Sequence, residues 1–200
     1  MRMLLLATTN QHKIDEYRAI FSAMPFQLRS LRDFRRETDV EETGSTFAEN
    51  AELKALTYAK LAGHLSLADD SGLEIDALNG APGIYSARFA GRDTSYEERF
   101  RLILAQLKDV PLEQRTARFV CAITIAEPSG YHRTVEGVIE GVIADAPRGE
   151  NGFGYDPIFF VPELGRTTAE LPPEQKNRIS HRGRAAQLAA ALLRDWPDKV

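Results

Sequence analysis

FVCAITIAEPSGYHRTVEGVIEGVIA, residues 119–144, decides the fold. Two runs rich in β-branched residues, Phe119–Ala126 and Thr134–Ala144, flank the turn-forming EPSG, and the pattern reads as an antiparallel hairpin. Outward from it the periodicity changes. Met3–Ala7 is a short apolar run that breaks at Thr8, Thr9 and Asn10, after which Ile14, Tyr17, Ile20 and Phe21 recur at helical spacing until Pro25. Thr46 and Glu49 stand at capping-box spacing before a second helix, whose face is Phe47, Ala51, Ala55, Tyr58 and Ala62 and which ends at Gly63. His64–Ala68 reads as a strand that ends at Asp69 and Asp70, and GAPG at 80–83 is a turn. A third helix is expected over Thr94–Leu107, with Thr94 and Glu97 as its capping box, and a last one over Ser180–Leu193, capped by Ser180. Arg29–Thr43 reads as a loop with room for a short strand, and Pro157–Val161 as a buried strand. Helices that interleave with strands around a central hairpin predict an α/β fold with a mixed sheet, in a single domain over residues 1–200.

Composition narrows the function. With 43% hydrophobic residues among 200, the chain can bury a sizeable core, and a formal net charge of −4 offers no field for a nucleic-acid backbone, so no polymeric nucleic-acid partner is expected. The first apolar run is too short to span a membrane, and no membrane association is expected. The single cysteine, Cys121, lies within an apolar run, precludes an internal disulfide and suits the cytosol.

Several segments carry chemistry. In GENGFGYDPIFF, residues 149–160, three glycines frame Phe153, Tyr155 and Asp156: the rings offer faces to a planar base, and Gly154 and its neighbours allow close backbone approach. Thr8, Thr9 and Asn10 at a helix N-terminus, with Lys13 one turn later, form a candidate phosphate site without the glycines of a P-loop. Two acidic pairs, Glu41 with Glu42 and Asp69 with Asp70, repel unless a cation joins them; with oxygen-only ligands and substrate phosphates, that cation is expected to be Mg²⁺. Lys54 follows on the second helix as a further phosphate donor. KNRISHRG, from Lys176 through His181 and Arg182 to Gly183, gathers donors before the last helix, and Arg182 suits the 6-oxo group of a purine.

The segments LLLATTNQHKIDE, EETGSTFAENAELKA, ADDSGLEIDALNGAPGIYSARFAG, GENGFGYDPIFF and EQKNRISHRGRAAQL occur in the order found in one family. Through them nearly the whole chain resembles the inosine triphosphate pyrophosphatases, with Thr9 replacing the small residue, commonly glycine, of the family's opening motif. The resemblance implies a mixed, elongated central sheet flanked by helices, two lobes around a nucleotide cleft, a homodimer and a cytoplasmic enzyme. The implied reaction splits ITP, dITP or XTP into monophosphate and pyrophosphate and clears these non-standard purine nucleotides before they enter DNA or RNA. By motif position, Thr8, Thr9, Asn10, Gln11, His12 and Lys13 would bind triphosphate with Lys54, and Asp70 would be general base and Mg²⁺ ligand with Ser71 beside it on substrate. Glu41 would be the second metal ligand, with Glu42 left open, as is any part for Asp69. Phe153, Gly154, Tyr155 and Asp156, with Lys176, His181 and Arg182, would surround base and sugar. Two other functions fit the same residues: a nucleotide sensor that binds without hydrolysis, and a pyrophosphatase for modified pyrimidine triphosphates. The His181–Arg182 pair argues for purines.

Overall fold

A computed structural model describes residues 2–34 and 40–197. The chain enters through β1 (Arg2–Leu6), turns at residues 7–10 into α1 (Gln11–Ile20) and returns as β2 (Phe26–Ser30). β2 runs parallel to β1 with Arg2 opposite Phe26 and Leu6 opposite Ser30. The expected loop Arg29–Thr43 therefore begins as the end of a strand and a 3-10 turn (Leu31–Phe34), and residues 35–39 of that segment lie outside the described residues. FQLRS alternates over five residues only, too few to stand out as a strand.

α2 (Phe47–Ala62) starts where the capping signal places it, with the Thr46 hydroxyl accepting the Glu49 amide at 3.1 Å, and stops at Gly63 in the left-handed region with φ of 68°. The Glu49 carboxylate also takes the Ser45 amide at 2.6 Å and the Ser45 hydroxyl at 2.7 Å. β3 (Leu65–Ile75) is the largest departure from expectation. It runs for 11 residues, parallel to β1, so Asp69 and Asp70 lie inside a strand and not at its end.

α3 (Tyr96–Gln106) begins one residue later than its predicted cap, at Ser95, whose hydroxyl accepts the Glu98 amide at 3.2 Å. Thr94 is unavailable because its hydroxyl donates to the Ala90 carbonyl at 2.6 Å and closes the preceding turn. β4 (Thr116–Ala126) and β5 (His132–Ile143) are the predicted hairpin, joined where the Glu127 amide donates to the Tyr131 carbonyl at 2.8 Å. β6 (Phe159–Val161) and β7 (Arg166–Thr167) follow as short antiparallel strands, then α4 (Pro173–Ile179) and α5 (His181–Arg194). The sheet has seven strands in the order β2-β1-β3-β4-β5-β6-β7 and is mixed, parallel at β1, β2 and β3 and antiparallel from β5 to β7.

Two compact units divide the chain, and β3, β4 and β5 contribute residues to both. The first comprises residues 1–70, 121–137 and 181–200. One of its cores joins Leu4, Leu6, Leu65 and Leu67 to Tyr17 of α1 and to Ala185, Ala186 and Ala189 of α5; another joins Leu5, Ala7 and Ala68 to Ala55, Tyr58 and Ala59 of α2. Alternation along β1 and β3 thus assigns α1 and α5 to one face and α2 to the other. The second unit comprises residues 71–120 and 138–180, and its core packs Phe100, Ile103 and Leu107 against Leu73, Phe119, Ile139 and Phe159. Ser95→Ala removes the α3 cap, and a loss of about 1 kcal/mol in chemical denaturation is expected; a change within ~0.3 kcal/mol would place the helix start elsewhere.

Candidate active site

Because successive strand residues point to opposite faces, Asp69 continues the Leu65–Leu67 row toward α1 and α5, whereas Asp70 continues the Ser66–Ala68 row toward α2. Both aspartates are buried, at 3% and 8% exposure, so each needs its own compensating partners.

Asp69 has its partners on the α1 and α5 side. Its carboxylate is 2.8 Å from the Lys13 ammonium and 3.5 Å from Nε of Arg182, and the Cys121 thiol is 3.9 Å away. Burial alone would push the Asp69 carboxyl up; the charges of Lys13, Arg182 and Lys54 overcome it and hold the group well below the usual carboxylate range. Arg182 is itself buried, with Nη1 donating to Glu16 at 2.7 Å, and carboxylates on two sides hold it protonated against the cost of burial. Burial, then Asp69, pushes the Cys121 thiol up to about 12, which makes it a packing group and not a nucleophile.

Asp70 is held from the opposite face. Asn50 Nδ2 donates to its Oδ2 at 3.1 Å, and Lys54 donates to its Oδ1 at 3.3 Å and to Glu42 Oε1 at 2.7 Å. Burial and the neighbouring Glu42 raise the Asp70 carboxyl above its ordinary value, against the opposing pull of Lys54 and Lys13. Lys54 keeps its proton: burial works against the charge, and Asp70, Asp69 and Glu42 outweigh it. Of the two glutamates, Glu42 is the half-buried one joined to this cluster, whereas Glu41 is exposed. The structure therefore places Glu42, and not Glu41, beside Asp70.

The expected turn between β1 and α1 forms at residues 7–10. Asn10 caps α1 by accepting the Lys13 amide at 3.3 Å, Thr8 accepts the Asn10 amide at 3.1 Å, and Arg32 braces the turn by donating to the Thr9 carbonyl at 2.9 Å and to Gln11 at 3.1 Å. Thr9, Asn10, Gln11 and His12 are exposed, and Thr8 is half-buried.

Phe153, Gly154, Tyr155, Asp156, Lys176 and the half-buried Ser71 belong to the second unit. Asp156 is internally satisfied: Oδ2 takes the Lys176 ammonium at 2.6 Å and the Phe153 amide at 2.8 Å, and Oδ1 takes the Thr168 hydroxyl at 2.8 Å. The Asp156 carboxylate comes so close to Gly152, at φ of 76°, that a side chain there would collide with it. Lys176 also lies over the Phe153 ring, 4.9 Å from its centroid. The expectation that both rings stand open needs correction at Tyr155, which is 3% exposed, packs edge-on against Tyr96 and donates its hydroxyl to the Ser86 carbonyl at 2.9 Å. Phe153 is half-buried, with Lys176 over its ring. His181 is buried at the start of α5 in the first unit.

Three residues in these clusters were not singled out in the sequence: Asn50, Glu16 and Thr168. Asn50 carried a signal, a polar residue three positions after Phe47 on the apolar stripe of α2. Glu16 and Thr168 carried none, since their partners are remote in sequence.

Fold and clusters define a mixed α/β protein with a capped strand-to-helix turn and buried carboxylates of one strand paired with lysines of the flanking helices. The chain belongs to the Ham1 family, whose pattern it matches over residues 4–192. It is 51% identical over 195 residues to the dITP/XTP pyrophosphatase of Geobacter sulfurreducens, covering 98% of this chain and 96% of that one. With the dITP/XTP pyrophosphatase of Desulforamulus reducens it shares 52% over 190 residues, 95% of this chain and 94% of the other. The Ham1 protein structure from Coxiella burnetii superposes with a TM-score of 0.89 at 44% identity, covering 98% of this chain and all, 100%, of that one. The family resemblance read from the motifs and the mixed sheet flanked by helices are thereby borne out.

Asp69→Asn leaves Lys13 and Arg182 facing a neutral group, and a loss of about 3 kcal/mol at pH 7 is expected in urea denaturation. Because the folded-state carboxyl is depressed, its stabilisation is complete above the unfolded-state value near ~4 and is lost as pH falls below it. The gap between wild type and variant should therefore narrow below about pH 4. A gap independent of pH would contradict the assignment.

Proposed function

We propose that the protein hydrolyses the non-standard purine nucleoside triphosphates ITP, dITP and XTP to monophosphate and pyrophosphate, removing them from the nucleotide pool. The observation that carries this reading is the Lys54 ammonium joined to Glu42 at 2.7 Å and to Asp70 at 3.3 Å, within the first unit that also bears the phosphate-type turn. Family membership and relatives bearing the name dITP/XTP pyrophosphatase support it.

Mg²⁺ belongs to the same reading. The donor set is two carboxylates, Glu42 and Asp70, without a soft ligand, which suits a hard cation completed by phosphate oxygens. Glu42 and Asp70 would hold it, and when bound it supplies neutralisation of charge developing on the phosphate oxygens. The capped N-terminus of α1 and Lys13 take up phosphate, with Lys54 as a second donor. Asp70 accepts the proton of the water that attacks the α-phosphorus. Lys13 can turn from Asp69 to phosphate because Asp69 keeps Arg182 beside it. The base and sugar contacts of Phe153, Lys176, His181 and Arg182, the homodimer and the cytoplasmic location enter by resemblance alone.

In a panel of nucleoside triphosphates with Mg²⁺, pyrophosphate release should be fastest from ITP, dITP or XTP, and Asp70→Asn should lower kcat by about 100-fold or more with the fold retained. Binding without product would favour the sensor, and preference for pyrimidines would favour the other pyrophosphatase. Glu42→Gln should raise the Mg²⁺ needed for half-maximal rate well beyond the effect of Glu41→Gln; the reverse order would return the ligand to Glu41.

A further inference from the structure

We propose that Asn50 is a positioning residue that sets the spacing of the Glu42 and Asp70 carboxylates; this rests on the reading of that pair as the cation-holding one. Asn50 is fully buried, at 0% exposure, on the first turn of α2. Its amide makes two bonds of opposite sense. Nδ2 donates to Asp70 Oδ2 at 3.1 Å, and Oδ1 accepts the Gly44 amide at 2.8 Å. These partners fix the amide's orientation, since only this one gives a donor to the carboxylate and an acceptor to the N–H.

The two bonds reach the two segments that matter. Gly44 lies two residues after Glu42, so the Gly44 bond anchors the irregular segment that carries that glutamate, and the other bond grips the Asp70 carboxylate directly. Lys54, one helical turn beyond Asn50 and on the same face of α2, reaches Oδ1 of the same carboxylate. Asp70 is thus held at both oxygens by one helix, and its plane is fixed before any cation arrives. Close approach of the Glu42 segment further depends on Gly44, because a Cβ there would lie 2.7 Å from Asn50 Oδ1 and 2.7 Å from Glu49 Cβ. Neither bond is made within α2. Asn50 instead ties together the segments that carry the two carboxylates.

The test uses Mn²⁺ as probe on the full chain without nucleotide, with free Mn²⁺ followed by electron paramagnetic resonance. Asn50→Leu keeps the branching at Cγ and removes both bonds; Gly44→Ala keeps Asn50 and forces the segment away. Each variant should bind Mn²⁺ about tenfold more weakly than wild type, and its Mg²⁺ requirement for pyrophosphate release from XTP should rise by the same factor. KM for XTP at saturating Mg²⁺ should change by less than about threefold if only the carboxylate spacing is lost. Gly44→Ala carries the test if Asn50→Leu does not fold. Unchanged Mn²⁺ affinity in a folded variant, even with a lowered Tm, overturns the role for Asn50 while the carboxylate pair stands. A wild-type chain that binds no Mn²⁺ and releases pyrophosphate without divalent metal overturns the pair itself and the inference with it.

Discussion

Two consecutive carboxylates inside a buried strand point to opposite faces, so their direct contacts come from different elements. Alternation along β3 sends Asp69 to one face of the sheet and Asp70 to the other, and the layout of the first unit follows from compensating each one where it points. An isolated buried carboxylate would cost several kcal/mol or take up a proton. On one face α1 brings Lys13 and α5 brings Arg182; on the other α2 brings Asn50 and Lys54. The outcome is two adjacent groups of the same chemical type with opposite character: Asp69 is overcompensated by cations and stays ionised, while Asp70 is left with a burial cost its partners do not cancel.

The strand-to-helix turn that follows Leu6 and the adjacent Asp69 bring a helix N-terminus, a lysine and a carboxylate together, and Asp69 holds the Lys13 ammonium in place. A similar economy governs the loop of the second unit, where Asp156 serves three donors at once and so orders Phe153 and Lys176 without taking any further partner.

Features that depend on local chemistry were legible in the sequence: the hairpin at residues 116–143, the Thr46 cap and Gly63 stop of α2, the Asn10 turn, and the residue types of the acidic and basic clusters. Features that depend on what lies across the sheet were not. An aspartate pair reads as a strand terminus because charges leave strands at the surface, and nothing local says that Lys13, Arg182 and Lys54 await them inside. Glu41 and Glu42 lie in an irregular segment without periodicity, so only the position of Lys54 shows which one turns inward. Tyr155 reads as a recognition ring from its glycine neighbours, but Tyr96, Phe100 and the Ser86 carbonyl draw it into the core. Arg182 reads as a ligand donor, yet Nη1 and Nε meet Glu16 and Asp69, far away in sequence.

The opposite character of the neighbouring aspartates is the claim on which the rest depends, and carboxyl carbon shifts followed by NMR across an acid titration of the metal-free protein test it directly. Asp69 should remain ionised well below the ordinary aspartate range while Asp70 takes up its proton above it. Titration of both carboxyls together near the ordinary value, or in the reverse order, would contradict the account.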